Sequence, residues 1–181
     1  MRIRVDEIPE SGRTLRFHWD QEKLSEFVPP DDPFGLKLPR PVNVTLTVNK
    51  GAEHIRITGR IEGPLEVTCH RCLTAFSYPL DEQVDIYLID EGRGPREEDK
   101  ELDIEELVYE FFDGEVIEID QLVAEQIFLA LPVKVLCSEE CGGICPRCGV
   151  NLNEEPCRCK AEGKGSAFAR LASIKPGLPE S

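Results

Sequence analysis

Short runs in which apolar and polar residues alternate dominate the first half of the chain. The clearest is Val42–Val48, where every second residue is apolar, and the alternation resumes at Ile55 after the turn-forming segment Asn49–Ala52. A period of two is that of a strand with one buried face, so this region predicts a β-hairpin.

Further strands are indicated on both sides of this hairpin. Arg2–Ile8 and Thr14–Trp19, joined by Pro9–Gly12, have the pattern of strand, turn and strand. On the far side the candidate strands are Leu65–Thr68, which follows a break at Glu62–Pro64, and Val84–Ile89. Consecutive short strands of this kind favour an antiparallel meander.

The later part of the chain predicts one more hairpin and the main helix. Val108–Phe112 and Glu115–Ile119 flank an Asp-Gly dipeptide, which favours a tight turn. Asp120 is placed to cap a helix over Gln121–Leu131 that ends at Pro132. The apolar face of this helix consists of Leu122, Val123, Ile127, Ala130 and Leu131. Six of the eight cysteines follow this helix, between Cys137 and Cys159, in the close spacing of zinc ligands. We therefore predict an α+β, β-rich fold: an antiparallel sheet, one main helix and a C-terminal zinc-bound cysteine module.

Composition divides the chain into three parts. The predicted parts are a β-rich core domain at 1–131, a cysteine-rich zinc module packed on it at 132–160, and a basic-leaning tail at 161–181. Within the core, residues 29–41 hold five prolines and form a connector. Since proline is excluded from central strands, this connector is ordered only if something packs on its apolar residues Phe34, Leu36 and Leu38. In the tail, the spacing of Phe168, Leu171 and Ile174 predicts a short helical turn.

Charge is distributed unevenly along the chain. The 181 residues include 21 Lys and Arg against 35 Asp and Glu, a net charge of −14. Residues 81–131 alone hold 3 basic and 18 acidic groups, and the other segments are close to neutral. This balance argues against a broad phosphate-binding surface, although it leaves room for a local basic patch.

The acidic loop predicted at 91–106 has two interpretations. It is either a solvated segment that aids solubility, as most charge runs are, or a surface that attracts a basic protein. No apolar stretch approaches the roughly 20 residues that span a bilayer, and the alternating N-terminus is unlike a signal peptide. We therefore expect a cytoplasmic protein that makes no membrane contact.

Eight cysteines occur as four close pairs, and in a reducing compartment this spacing points to metal ligation. Zinc prefers four thiolates in structural sites, so the count predicts two Cys₄ zinc sites. The pairs are Cys69 and Cys72, Cys137 and Cys141, Cys145 and Cys148, and Cys157 and Cys159.

The assignment of pairs to sites is open. We prefer a long-range site made by the first two pairs and a local site made by the last two. The alternative joins the two C-x-R-C motifs, Cys69–Cys72 and Cys145–Cys148, and leaves the other pairs together. Either arrangement ties the C-terminal module to the sheet.

Basic residues accompany the cysteines and are candidates for partner binding. Arg71, Arg147 and Arg158 each lie between two ligands, where a cation offsets thiolate charge or contacts a partner. Lys160 and Lys164 follow the last pair.

Catalysis is not supported by the sequence. A catalytic zinc site usually includes histidine or carboxylate ligands, but His18 and His54 lie in strand-like runs and His70 is a spacer within the first pair. No nucleophile elbow, phosphate-binding loop or dinucleotide fingerprint occurs. We expect no enzyme and no small-molecule substrate. A competing hypothesis is a thiol-active protein, either a disulfide oxidoreductase or a metal donor that uses the C-x-x-C pairs, although no helix is evident after Cys72.

The chain resembles the YceD family, the large ribosomal RNA subunit accumulation proteins of bacteria and plastids. The resemblance rests on the C-x-R-C that follows the strands, the helix Ile119–Leu131, the block Leu136–Asn153 and the Cys157-x-Cys159 ending. It implies a ribosome-biogenesis factor that supports accumulation of large-subunit ribosomal RNA. The expected partner is a large-subunit ribosomal protein, the RNA, or both.

Overall fold

A computed structural model of the chain describes residues 1–52, 54–90 and 109–159. The elements in chain order are β1 (Arg2–Arg4), β2 (Arg13–Trp19), α1 (Gln21–Ser25), β3 (Val42–Lys50), β4 (Ile55–Thr68), β5 (Ala75–Asp90), β6 (Tyr109–Phe112), β7 (Val116–Glu118) and α2 (Ile119–Leu129). The acidic loop at 91–106 and the tail at 161–181 lie outside the described residues. No helix in the described part of the chain is long and apolar enough to cross a membrane.

A five-stranded sheet in the order β2-β3-β4-β5-β6 forms the centre of the fold. Strands β2 to β5 make the expected antiparallel meander, whereas β6 pairs with β5 in parallel. The fold is therefore β-rich with one main helix, as predicted, but its sheet is mixed.

Two predicted strand pairings are wrong: that of Arg2–Ile8 with Thr14–Trp19, and that of Val108–Phe112 with Glu115–Ile119. β6 joins the large sheet, while β7 pairs with β1 in a separate two-stranded sheet. A tight turn nevertheless connects β6 and β7, and the Asp113 carboxylate stabilises it by accepting from the N–H groups of Glu115 and Val116 at 3.0 Å. The N-terminal strand likewise ends at Arg4 and pairs with β7 instead of β2, which buries Ile3 against Ile117. Turn residues thus determine the local bend, whereas the burial of apolar residues such as Ile3 and Ile117 determines which strands pair.

Strands β4 and β5 are longer than their sequences suggest. The expected break at Glu62–Pro64 is absent, and β4 pairs with β5 from Ile55 to Thr68. Gly63 serves close packing, because a Cβ on it would lie 2.7 Å from the Cγ1 atom of Val42. The hairpin of β4 and β5 therefore runs unbroken to the first cysteine pair.

The core lies between one face of the sheet and α2. Leu122, Val123, Ile127 and Leu131 are buried, which confirms most of the predicted helix face. Two of the three apolar residues in the proline-rich connector are also buried, Leu36 and Leu38, and Phe34 packs against the core. Lys37 exchanges backbone hydrogen bonds with Glu66 on β4 at 2.9 and 2.8 Å. The condition for an ordered connector is thus met.

Asp120 is not the helix cap that we predicted. It lies in the first turn of α2, is 7% exposed, and accepts from the indole N–H of Trp19 at 3.2 Å. Lys23 Nζ lies 2.9 Å from the same carboxylate, and the amino group of Met1 also donates to it. The short helix α1, which the sequence analysis missed, begins after Asp20 and supplies Lys23.

Candidate metal centres

The first cysteine pair forms the turn between β4 and β5. The amide of Cys69 donates to the carbonyl of Thr74 at 3.0 Å, and the amide of Leu73 donates to the carbonyl of Cys69 at 2.9 Å. The Arg71 amide points at the sulfur of Cys69 at 3.4 Å. A hairpin of two long strands thus presents both sulfurs on a tight turn.

The loop after α2 brings the second pair to this turn. The amide of His70 donates to the carbonyl of Val135 at 2.9 Å, which fixes the loop just before Cys137. The Arg71 guanidinium donates to the carbonyls of Glu139 and Cys141 at 3.1 and 3.0 Å. Arg71 therefore holds the two halves of the cluster together.

Four sulfurs meet here in what we call the first cluster, formed by Cys69, Cys72, Cys137 and Cys141. The Sγ atoms lie within 4.8 Å of one another, with 3.7 Å between Cys69 and Cys141 and 3.7 Å between Cys72 and Cys137. Three of the four residues are buried, and Cys137 is exposed.

The second cluster is formed by Cys145, Cys148, Cys157 and Cys159. Its C-x-x-C turn repeats the first, since the amide of Gly149 donates to the carbonyl of Cys145 at 2.9 Å. The sulfur of Cys157 lies 3.2 Å from that of Cys145 and 3.8 Å from that of Cys148. This cluster is local in sequence and less buried than the first.

Both clusters fit a tetrahedral zinc ion. Four thiolates at about 2.3 Å from zinc lie about 3.8 Å from each other, whereas a disulfide requires about 2.05 Å. The sulfur separations of 3.7 to 3.8 Å match the tetrahedral edge, and the 3.2 Å pair needs only a small adjustment. The grouping is that of the preferred pairing, and the two C-x-R-C motifs do not share a site.

The thiols of each cluster differ in acidity before any metal binds. Burial opposes ionisation of Cys69, but N–H groups of Cys72, Cys137 and Arg71 directed at its sulfur lower its pKa to about 6. The amides of Cys148 and Arg147 likewise lower the pKa of Cys145 to about 6. Each cluster also contains a thiol whose pKa is raised, since neighbouring sulfurs raise the pKa of Cys137 and of Cys159 to about 12. Each cluster thus holds negative charge that a cation would neutralise.

Asn153 links the two clusters, and the sequence analysis missed it. It belongs to the loop between Cys148 and Cys157, yet its amide nitrogen lies 3.3 Å from the sulfur of Cys141. Its oxygen accepts from the amide of Gly142 at 2.7 Å. The presence of an asparagine between Cys148 and Cys157 could have indicated this contact, because the side-chain amide of asparagine can donate to a thiolate.

The basic residues singled out in the sequence have different environments. Arg71 donates to the backbone, as described above, while Arg147 and Arg158 are exposed beside the second cluster. Lys160 and Lys164 lie outside the described residues. His70 belongs to neither cluster, and its ring stacks on Phe34 with 5.6 Å between centroids.

Comparison with known proteins identifies relatives of the chain. The family model described as "Large ribosomal RNA subunit accumulation protein YceD" matches residues 57–175. An uncharacterised protein of Mycobacterium tuberculosis is 30% identical over 115 residues, 64% of this chain and 53% of its own length. A chloroplastic protein of Arabidopsis thaliana, named as a large ribosomal RNA subunit accumulation protein YCED homolog, is 27% identical over 158 residues, 75% of this chain and 49% of its own. The chain thus spans about half the length of these relatives, and no solved structure matches it significantly.

Proposed function

The chain belongs to the YceD family of large ribosomal RNA subunit accumulation proteins, and from that premise we propose that it is a zinc-binding ribosome-biogenesis factor. In this proposal it supports accumulation of large-subunit ribosomal RNA by binding a ribosomal protein, the RNA, or both. It acts by binding and not by catalysis, in the cytoplasm of its host.

The observation that carries this proposal is the pair of thiol clusters joined to the sheet. Residues 136–159 contain no helix or long strand, so little apolar core holds them. Structural zinc contributes about 10–16 kcal/mol of apparent folding energy in small modules, which is enough to order such a segment. With zinc in both clusters the segment is a rigid surface attached to the β4–β5 turn.

Charge favours a basic protein as the direct partner. Residues 81–131 carry a balance of −15, and a negative surface steers and shields a cationic protein before it meets RNA. A direct RNA contact would instead use basic residues of the C-terminal region such as Arg147, Arg158, Lys160 and Lys164. The two modes differ in salt dependence, because phosphate contacts release counterions.

The thiol-active alternative has less support. A redox C-x-x-C pair is normally activated at the start of a helix, whereas Cys69–Cys72 forms a turn between strands. Elemental analysis of protein purified without added metal separates the two functions. About two tightly bound zinc ions per chain are expected for the structural role, and metal-free protein with a Cys69–Cys72 disulfide would support redox chemistry.

Affinity purification tests the proposal directly. The tagged chain is recovered from cells at low salt, and bound proteins and RNA are identified and then eluted along a salt gradient. We expect a large-subunit ribosomal protein or large-subunit RNA to be enriched over a Cys148→Ser variant, which lacks one ligand of the second cluster. A variant lacking Arg96–Glu106 tests the acidic segment, and Lys160→Glu with Lys164→Glu tests the RNA mode. Recovery of no ribosomal component would refute the proposal.

A further inference from the structure

The two C-x-x-C turns share their backbone hydrogen bonds but differ in the residue that follows the second cysteine. Leu73 follows Cys72 at φ +59°, and Gly149 follows Cys148 at φ +73°. Each donates its amide to the carbonyl of the first cysteine of its turn at 2.9 Å. Leu73 is the one non-glycine with positive φ among the described residues. A left-handed conformation is costly for any residue with a Cβ, so glycine is the expected choice at both positions.

Packing does not explain the leucine. Leu73 is 63% exposed, so it contributes little to the core. Gly149 forms the same turn without a side chain, and the space beside it is open, since a Cβ there would meet nothing within 4 Å. A strained backbone at an exposed apolar residue points to a role outside the packing of the chain itself.

A second exposed apolar residue, Ile144, belongs to a small hairpin bonded to the turn that carries Leu73. The amide of Ile144 donates to the carbonyl of Arg71 at 3.1 Å, and the side chain of Asn151 donates to the hydroxyl of Thr74 at 3.4 Å. Ile144 and Asn151 are antiparallel partners, so their side chains leave the same face of this small hairpin. Ile144 is 39% exposed. The hairpin is thus bonded to Arg71 and Thr74, on either side of Leu73 in the chain, and places the exposed Ile144 on the same part of the surface.

The charge around this surface selects its partner. Residues 69–74 and 132–159 hold four basic and four acidic side chains. Each zinc bound by four thiolates adds a formal −4 + 2 = −2, so the metal-loaded region is negative by about 4. This net charge disfavours nucleic acid phosphates as the ligand of the surface at Leu73, and it also disfavours a second copy of this chain, whose net charge is −14. It attracts a cationic protein segment.

We propose that Leu73 is the apolar anchor with which the metal-loaded clusters hold a basic segment of a ribosomal protein. This inference rests on the proposed function and names the residue that makes the contact. The partner segment contributes at least one apolar side chain against Leu73 and Ile144, with lysines and arginines toward the negative surroundings. An apolar centre within a charged rim is the usual form of a binding hot spot.

Two substitutions separate binding from stability. Leu73→Gly removes the apolar group and relieves the backbone, so zinc content stays the same and the melting temperature stays the same or rises. Leu73→Gln keeps the size and the strained backbone but removes the apolarity. Both are expected to weaken binding by about 10- to 100-fold, the effect of leaving one leucine side chain unburied. Leu129→Ala, at a 74%-exposed leucine on α2, is the matched control and leaves binding unchanged.

Two probes are passed separately over the immobilised zinc-loaded chain: the total protein of the large ribosomal subunit, freed from RNA, and the RNA of that subunit, freed from protein. The retained ribosomal protein is then purified and its Kd is measured for each variant. Equal affinity of wild type and both variants overturns this inference and leaves the proposed function standing. Retention of ribosomal RNA alone, or a dimer in sedimentation that Leu73→Gln abolishes, also overturns it. If wild type retains neither ribosomal protein nor RNA, the proposed function fails together with it.

Discussion

The side-chain nitrogen of Asn153 lies 3.3 Å from the sulfur of Cys141, although Asn153 is in the loop of the second cluster and Cys141 belongs to the first. Donation by this amide is the main cause that lowers the pKa of Cys141. The asparagine oxygen meanwhile accepts from the amide of Gly142, so a single side chain positions the ligand and its loop. The second cluster closes the loop that carries Asn153 and thereby supports the first.

Replacement of Asn153 by aspartate is expected to weaken metal binding at the first cluster. The variant keeps an acceptor for Gly142 but loses the donor to Cys141, and it adds a negative charge beside a thiolate. Loss of such a supporting hydrogen bond typically reduces metal affinity about 10- to 100-fold. Competition with a chromophoric zinc chelator would measure the loss. Asn43→Asp on the exposed face of β3 is the control, and equal zinc affinity for the two variants would contradict the coupling.

Removal of the metal is expected to disorder residues 136–159 and leave the sheet folded. The main core forms a cluster of buried residues separate from the one around Cys69, Cys72 and Cys141. After chelation, trypsin should cut rapidly after Arg147 and Arg158, while the far-ultraviolet signal of the strands is retained. Readdition of zinc should restore protection. Uniform loss of strand signal on chelation would instead mean that the metal sites hold the whole fold together.

Zinc uptake near pH 7 is expected to release protons. The pKa values of Cys69 and Cys145 are lowered to about 6, so these thiols are mostly ionised at pH 7. Cys137 and Cys159, with pKa values raised to about 12, still carry protons that zinc must displace. As pH falls through 6, Cys69 and Cys145 also become protonated and zinc affinity drops further. Calorimetry in two buffers of different ionisation enthalpy should give different binding enthalpies, and equal values would exclude proton release.

Loss of the Asp120 carboxylate is expected to destabilise the fold. Asp120→Ala leaves the Trp19 indole without its acceptor and Lys23 without a buried counter-ion, which costs about 2–4 kcal/mol. Hydrogen bonds from the Met1 amino group, Lys23 and Trp19 outweigh burial and lower the Asp120 pKa. This contribution is therefore present above the ordinary carboxyl pKa and is lost as pH falls through the lowered value. Denaturant melts at pH 7 and pH 3 should differ less for the variant than for wild type.

Asp85→Asn is the matched control for that measurement. Asp85 pairs with Arg56 at 2.8 Å, but both side chains are about half exposed, at 51% and 46%. An exposed ion pair contributes little to stability because solvent screens it. Equal destabilisation by the two substitutions would show that burial of Asp120 is not the cause.

Local sequence patterns predicted where strands and helices lie better than they predicted which strands pair. Alternation located β3 and the helical spacing of apolar residues located α2, because burial of one face leaves a periodic pattern in the sequence. The parallel pairing of β6 with β5 left no such trace, since it depends on contacts between distant segments. The prediction that Asp120 caps α2 was wrong for the same reason, because its contacts are with distant residues. An aspartate before an apolar run is typical of a cap, while its partner Trp19 lies 101 residues away.

The cysteine grouping was easier to predict than the conformation around it. Thiol pairs separated by one to three residues are typical of metal ligands in any fold, and the structure groups the pairs as the preferred assignment does. The left-handed conformation of Leu73 was not predicted, because nothing in a leucine indicates positive φ. Comparison of the two turns became possible only when both backbones were known.

A metal bound to the first cluster would also cross-link two distant parts of the chain. Cys72 and Cys137 are 65 residues apart, and a shared metal closes the chain between them into a ring. For a cross-link that stays in place when the chain unfolds, closing a ring of this size removes about 4 kcal/mol of unfolded-state entropy by the relation used for disulfides. That ring encloses the whole of residues 81–131, the segment with a charge balance of −15. Mutual repulsion expands a polyanion of this kind, and a metal that stays bound to the first cluster would limit how far the unfolded chain can swell.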